Sequence, residues 1–526
     1  MYKNPNLDEP EPKRKDIKFV IKAMDLLTTK YCDKISGMLS CYDRLVFTGT
    51  LPLLSNASHL TAYFYQNRMR IFDYRKFAVI YRDELRENAE RIAEAAGLKI
   101  EFIKKRDVRK EAVIENVIRK RGTHPGLVHI ISVIEGCTSY EPWCDKITKK
   151  CFLRYDQGKC LHYYFYFIDE QLGLCYVRVP TWLPFKLQIF LNGHAWLSSE
   201  LTKKKIRFQM LDNAFIEIGD WDKAQTISDN LKIEKLHKKL DAFALQYCPV
   251  HKIFKQQYHW SIMQCEYATD IVFKKQENLK PLYEQLIEKA IHSVKPENIV
   301  TFLGKKMHAK YEGEIGNNYH VRIEGSRIKH SMSKASIKMY DKFAHILRIE
   351  TTVNDVTFFK HYREVIHRDG SSTQKETSMK KNIYSLKPLR EIVMASNNRY
   401  LEFISAIDDN TIGHKKLEKA TEVITEENRN YKGLNFFCRT DKKIVLTLAR
   451  GEFNIYGFRC KDLAKHLVNY SADQLSRLLK RLRVHGIIRK IGKSYKYYLT
   501  KFGKEIITCS QKVINMVMIP QLSNAA

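Results

Sequence analysis

The segment CLHYYFYFIDEQLGLCYVRVP, residues 160–180, commits the centre of the chain to a β-sheet. A run of aromatic and aliphatic side chains ends at Asp169, a polar turn follows, and a second apolar run begins at Gly173. Short runs of this composition, bounded by turn residues, read as strands. The flanking sequence repeats the pattern, with CFLRYD before it and FKLQIFLNG after it. Then come the helix HAWLSSELTKKK and the strand IRFQMLDNAFIEI. Residues 137–219 are therefore expected to form a β-rich core.

The remaining segments are read around that core. Residues 1–16 are a charged tail expected to be flexible. Residues 17–136 alternate helix and strand, as a small α/β domain does, and the helices carry basic polar faces (Arg82, Arg86, Arg109, Lys110, Arg119, Lys120, Arg121). Residues 220–300 are mainly helical, interrupted by the extended piece CEYATDIVF. Residues 301–360 form a β-hairpin region that completes the core. Residues 361–435 read as a linker and a long helix, 436–510 as a separate module, and 511–526 as a tail. A chain of 526 residues accommodates about three to four domains.

Charge points to the partner. The excess of 90 Lys+Arg over 59 Asp+Glu is +31, a field that attracts polyanions. DNA and/or RNA is the expected partner, since neutralising phosphates releases counterions. No run approaches the roughly 18 apolar residues of a membrane span, so no membrane partner is expected. The twelve cysteines are scattered and no secretory signal precedes them, which suggests a reducing, cytoplasmic setting. The absence of a Walker A loop, H-E-x-x-H and G-x-S-x-G argues against an NTPase, a zinc protease and an esterase.

The C-terminal module has three helices and a ribbon. DKKIVLTLARGEF, GFRCKDLAKHL and SADQLSRLLKRLRVHG read as helices, and GIIRKIGKSYKYYLT as a β-ribbon. Ser471 is a good N-cap, and Leu475, Leu478, Leu479 and Leu482 form one buried stripe. The opposite face offers Gln474, Arg477, Lys480 and Arg481 to bases and phosphates. Arg489, Lys490, Lys493 and Lys496 make the ribbon basic. The phrase LLKRLRVHGIIRKIGKSYKYYLTKFGKEI resembles winged-helix regulators of the multiple-antibiotic-resistance type. That resemblance implies a winged helix in which the third helix and the wing contact nucleic acid. The expected fold class is thus multidomain α/β and α+β: a mixed β-sheet body with helical insertions and a C-terminal winged helix.

Two patterns suggest chemistry in the body. Asp169 and Asp212 each end a strand, in the order strand, strand, strand, helix, strand. This order resembles the opening of an RNase H-like nuclease core, which implies strand-end carboxylates sharing Mg²⁺ or Mn²⁺. Glu217, Asp270 and Glu350 are available as a third ligand, and Asp169, Asp212 and Glu350 form the candidate metal set. Strand-end aspartates also serve as ordinary turn-formers.

The second pattern is SIKMYDKFAHILRIETTVN, residues 336–354. Its strand–YDK–turn–LRIE–strand wording resembles rolling-circle replication initiators, which implies a tyrosine nucleophile and a metal. No histidine here lies two residues from another, and Tyr340 sits inside a strand rather than on a helix. An even loop would place Asp341, Arg348 and Glu350 on one face, a catalytic arrangement. An odd loop would set Tyr340 opposite Arg348 and Lys338 opposite Glu350, because a one-residue slip exchanges faces. Lys338 and Arg348 are candidate phosphate contacts; Asp341 and Glu350 are candidate catalytic groups.

Cys137, Cys144, Cys151 and Cys160, with His162, are spaced more widely than a zinc knuckle, so zinc is not expected. The phrases CLHYYFYFID, LDNAF, IKMYDK…LRIETT and RGEFNIYGFR are similar to those of a group of bacterial proteins, a resemblance that implies no mechanism. The reading that results is a nucleic-acid-binding protein with a metal-dependent strand-cleaving or strand-transfer site, of a mobile element or an RNA-associated system. Its alternative is a non-catalytic winged-helix regulator or RNA-binding scaffold.

Overall fold

The computed structural model describes residues 31–523 apart from 105–106, 308–312, 323–324, 368, 407–409 and 493. The 1–16 tail and Lys493 lie outside the described residues. The chain divides into two compact units, Met1–Ser405 and Ala406–Ala526.

The first unit is mixed α/β, built on a single eleven-stranded sheet. Its strands are β1 (Ile35–Thr50), β2 (Ile100–Phe102), β3 (Gly126–Cys144), β4 (Cys151–Asp169), β5 (Gly173–Pro180) and β6 (Leu187–Asn192). The ribbon β7 (Phe208–Leu211) and β8 (Ala214–Ile218) stands apart as a two-stranded sheet. The large sheet continues with β9 (His259–Phe273), β10 (Ile315–Arg322), β11 (Gly325–Met332), β12 (Ala335–Lys342) and β13 (Ile346–Val353). The spatial order is β10-β11-β12-β13-β9-β1-β6-β5-β4-β3-β2. Among the described residues only the β2–β3 pair is parallel, so hairpin connections suffice for most neighbours.

This sheet takes strands from the segments 17–136, 137–219, 220–300 and 301–360 alike. The extended piece CEYATDIVF belongs to β9, which pairs with both β1 and β13 and joins the two halves. A strand buried on both faces reads as a near-continuous apolar run rather than an alternating one, and Ala268–Phe273 is entirely buried.

Helices cover both faces. On one, the helices Gly193–Lys203 and Trp221–Asp229 and the β7–β8 ribbon pack on β1 through Leu39, Cys41, Leu197, Phe215, Ile218 and Ile227. On the other, the helix Leu386–Ser405 crosses β9 and β13. Its buried Asn397 amide donates to the carbonyls of Tyr267 and Ile349, and its carbonyl accepts from Thr351. The helix Ile233–Tyr247 stacks Tyr247 on Phe165, with ring centroids 4.7 Å apart. HYYFYF is thus core packing on both sides: Phe165 and Phe167 meet that helix, while Tyr164 and Tyr166 meet the Lys110–Arg121 helix.

The second unit has its own core, in which Leu475, Leu478, Leu479 and Leu482 meet Ile444, Leu448, Phe458 and Ile487. The first unit also carries the ribbon β14 (Lys360–Ile366)–β15 (Ser372–Ser378), whereas the second unit holds β16 (Ile424–Glu426)–β17 (Arg429–Tyr431) and β18 (Ile488–Lys490)–β19 (Tyr497–Leu499). The Ala472–Val484 helix starts with a capping box, Ser471 accepting from the Gln474 amide and Gln474 accepting from the Ser471 amide. Phe458 bridges to Tyr497 beside the β18–β19 ribbon.

Candidate functional site

The hairpin register is the odd one. β12 pairs with β13 through Lys342↔Ile346, Tyr340↔Arg348 and Lys338↔Glu350. The loop between them is Phe343, Ala344 and His345, of which Phe343 (φ 59°) and Ala344 (φ 54°) are left-handed. Asp341 therefore points to the sheet face opposite Arg348 and Glu350, and the catalytic grouping of the three does not form. Burial raises the Asp341 carboxyl pKa.

Strand alternation carries Arg348 and Glu350 of β13, Glu266 and Asp270 of β9, and Lys338 and Tyr340 of β12 onto one face. β1 adds Asp43 from a bulge, where its register against β9 shifts between Tyr42 and Arg44. A bulge re-aims a side chain in this way. Gly193 lets the next helix begin directly against that bulge, since a Cβ there would collide with the Tyr42 carbonyl.

The inner half of the cluster is a closed ionic group. The Arg348 guanidinium grips Asp270 through Nε (2.6 Å) and Nη2 (2.7 Å), reaches Asp43 at 3.4 Å and donates to the Asn213 carbonyl. The His194 Nδ1 lies 2.9 Å from Asp43, which also accepts from the Asn213 amide. Burial alone would raise the Asp270 carboxyl, but Arg348 and His194 hold it at about 2. Asp43 is likewise held well below the usual range, against burial, by His194 and Arg348. Burial works against a charged His194, and the Cys41 sulfur and the Asp43 and Asp270 carboxylates raise it well above the usual imidazole value. Arg348 Nη2 also lies 3.2 Å from His194 Nε2; bound to both Asp43 and Asp270, Arg348 is a buried structural cation rather than a free phosphate contact.

The outer half is different. Glu266 and Glu350 share one ammonium, Lys338 Nζ, at 2.9 and 2.6 Å. Tyr340 donates its hydroxyl to the other Glu350 oxygen at 2.7 Å. Two carboxylates on one ammonium leave an excess of one negative charge. One oxygen each from Asp43, Glu266 and Glu350 lies within 4.8 Å of the others, a group of a size to hold a metal ion.

Asp169 and Asp212 are not part of this group. Asp169 caps its own turn by accepting from the Gln171 and Leu172 amides and pairs with Lys239 at 2.7 Å. Asp212 is exposed at the β7–β8 turn and pairs with Lys342 at 3.2 Å. Of the candidate metal set Asp169, Asp212 and Glu350, Glu350 alone joins the cluster, and Asp270, an alternative third carboxylate, lies in its inner half bound to Arg348. Asp43 and Glu266 escaped the sequence reading, although an Asp-Arg pair inside the apolar strand YDRLVF was a usable signal.

In the second unit, Arg481 turns inward. It binds both Asp441 oxygens (3.0 and 2.8 Å) and donates to the carbonyls of Lys432 and Gly433. Lys480 pairs with Glu426, and Gln474 serves the cap. Arg477 and Arg489 are exposed, and Lys490 and Lys496 are half-buried, their ammoniums over the rings of Tyr495 and Tyr498.

No protein-family model, curated protein or solved structure matches the chain. Among the described residues no helix is long and apolar enough to cross a membrane.

Proposed function

We propose that this is a nucleic-acid-binding protein whose first unit cleaves or transfers strands with Mg²⁺ or Mn²⁺ held by Asp43, Glu266 and Glu350. The observation that carries it is the convergence of these three carboxylates from three adjacent strands, beside a lysine and a tyrosine. Hard oxygen donors suit both cations. A bound cation would polarise a phosphoryl oxygen; Lys338 would orient Glu266 and Glu350, and Tyr340 would hold the second Glu350 oxygen. The second unit is read as a winged helix, with Arg477 on its third helix and Arg489, Lys490 and Lys496 on the wing as phosphate contacts. The +31 charge supports a polyanionic partner.

A second reading, a regulator or scaffold without catalysis, is favoured by Lys338, whose ammonium already neutralises part of the carboxylate pair. Labelled single-stranded DNA, duplex DNA and structured RNA, each incubated with Mn²⁺, Mg²⁺ or chelator, separate the two. Metal-dependent products that vanish in Glu266→Gln support catalysis. Retention of nucleic acid with no product in any condition supports the binder, and no retention at all overturns both.

A further inference from the structure

The cysteines that the sequence places near one another lie on a single ribbon, β3–β4, and the register sorts them. Cys144 pairs directly with Cys151, whereas Cys137 pairs with Gly158 and Cys160 with Glu135. The Asp145 amide donates to the Lys150 carbonyl just beyond the first pair, so Cys144 and Cys151 occupy a non-hydrogen-bonded position. In such positions the Cα atoms are only about 4.5 Å apart and the side chains are closest. That separation lies inside the range a disulfide spans without backbone movement. The two sulfurs are 2.7 Å apart, and both residues are half-buried. Cys137 and Cys160 are diagonal neighbours instead: the Cys160 thiol donates to the Cys137 sulfur, but diagonal Cα atoms stand about 7–8 Å apart, at or beyond the spacing a disulfide spans without backbone movement.

The ribbon is held in place independently of these sulfurs. The Tyr65 hydroxyl donates to the Cys151 carbonyl, the Leu153 amide donates to the Thr61 hydroxyl, and the Tyr155 hydroxyl donates to the Ser55 carbonyl. Closing a bond between Cys144 and Cys151 therefore asks nothing of the backbone. The S–H of Cys151 donates to the Cys144 sulfur, a bond that raises the Cys151 thiol pKa. That assigns the first attack to Cys144 and the resolving step to Cys151.

We propose that Cys144 and Cys151 form a reversible redox pair, oxidised to a cross-strand disulfide by exchange with a small-molecule disulfide. In the first step the Cys144 thiolate attacks one sulfur of that molecule, forming a mixed disulfide and expelling one thiolate. The Cys151 thiolate then attacks the Cys144 sulfur and expels the second. The two thiol protons end on the two small thiols, and the two electrons that leave the protein sulfurs reduce the incoming disulfide. The bond closes the turn that presents Lys146, Lys149 and Lys150. Directly paired, accessible thiols of this kind, in a chain without a disulfide framework, suit redox sensing rather than structural stapling.

The test uses the full chain in glutathione buffers graded from fully reduced to fully oxidised, quenched in acid, denatured, alkylated and mapped by peptide mass. The expected result is one cross-linked peptide pair, lighter by two hydrogens, joining Cys144 to Cys151 and lost on return to reduced buffer. Cys151→Ser should leave Cys144 carrying glutathione, and Cys137 and Cys160 should remain unlinked in every variant. Both Cys144 and Cys151 recovered as alkylated thiols from fully oxidised buffer, with circular dichroism showing a folded chain, would overturn the proposal. Linkage of Cys137 to Cys160 to the same extent would overturn the register argument behind it.

Discussion

Lys338 and Glu350 face each other across the β12–β13 ladder, and the ammonium lies 2.6 Å from the carboxylate it half-neutralises. Burial disfavours the Lys338 charge, yet Glu350 and Glu266 raise its pKa above the ordinary value. The lysine therefore stays charged, and the stability of the sheet centre depends on it.

Replacing Lys338 with Met should accordingly destabilise the first unit by about 3–5 kcal/mol, the cost of leaving a buried charge without its partner. Urea unfolding checks this. If the carboxylates take a divalent cation, millimolar Mn²⁺ should return part of the lost stability to Lys338→Met, because a ligand that binds only the folded state stabilises it.

Acid sensitivity should centre on Asp270. Its folded carboxyl sits at about 2 against an ordinary 3.8, so the unfolded chain binds the proton more readily. The stabilisation is complete above about pH 4 and is lost as pH falls toward 2. His194 has the opposite sign: its folded pKa is raised, so its contribution is complete below the ordinary imidazole value and fades as pH rises through the raised one. Unfolding midpoints measured against pH should lose slope on the acid side in Asp270→Asn and on the alkaline side in His194→Gln.

Gly193→Ala should destabilise by about 1–3 kcal/mol, as overpacking does, because the new Cβ meets the Tyr42 carbonyl at the β1 bulge. Thermal unfolding measures the loss. Ala195→Gly in the same helix provides the comparison for a change in helix propensity alone.

Arg481 and Arg477 should separate folding from binding. Arg481→Ala strips the buried Asp441 of its cation and removes two carbonyl contacts, so the second unit should lose about 1.5–3 kcal/mol. Arg477→Ala lies on the exposed face and should change stability by less than about 0.5 kcal/mol. In the winged-helix reading it should also lower the salt slope of nucleic-acid retention by about one phosphate contact. Filter retention across a salt series, run beside unfolding curves, reads both.

Local patterns made several elements legible. The aromatic run at 160–169 had no alternative to a strand, and the leucine stripe with its Ser471 cap could only be an amphipathic helix. The β12–β13 register was not legible, because its loop places Phe343 and Ala344 in the left-handed region with no glycine or asparagine to mark the turn. Arg481 looked like a surface cation, because helical periodicity says which face a residue is on but not whether an Asp441 from another helix waits there.

The sequence by itself determined the strand-rich body, the basic charge and the leucine-striped C-terminal unit, since composition and short-range periodicity act within a few residues. Only the tertiary structure decided that Asp43, Glu266 and Glu350 meet while Asp169 and Asp212 stay with their own lysines. The meeting depends on β9 joining β1 to β13 and on a bulge that turns one side chain. The β1–β9 pairing links residues more than 200 positions apart and the β9–β13 pairing residues more than 70 apart, distances at which hydrogen-bonded register rather than local pattern decides which side chains share a face.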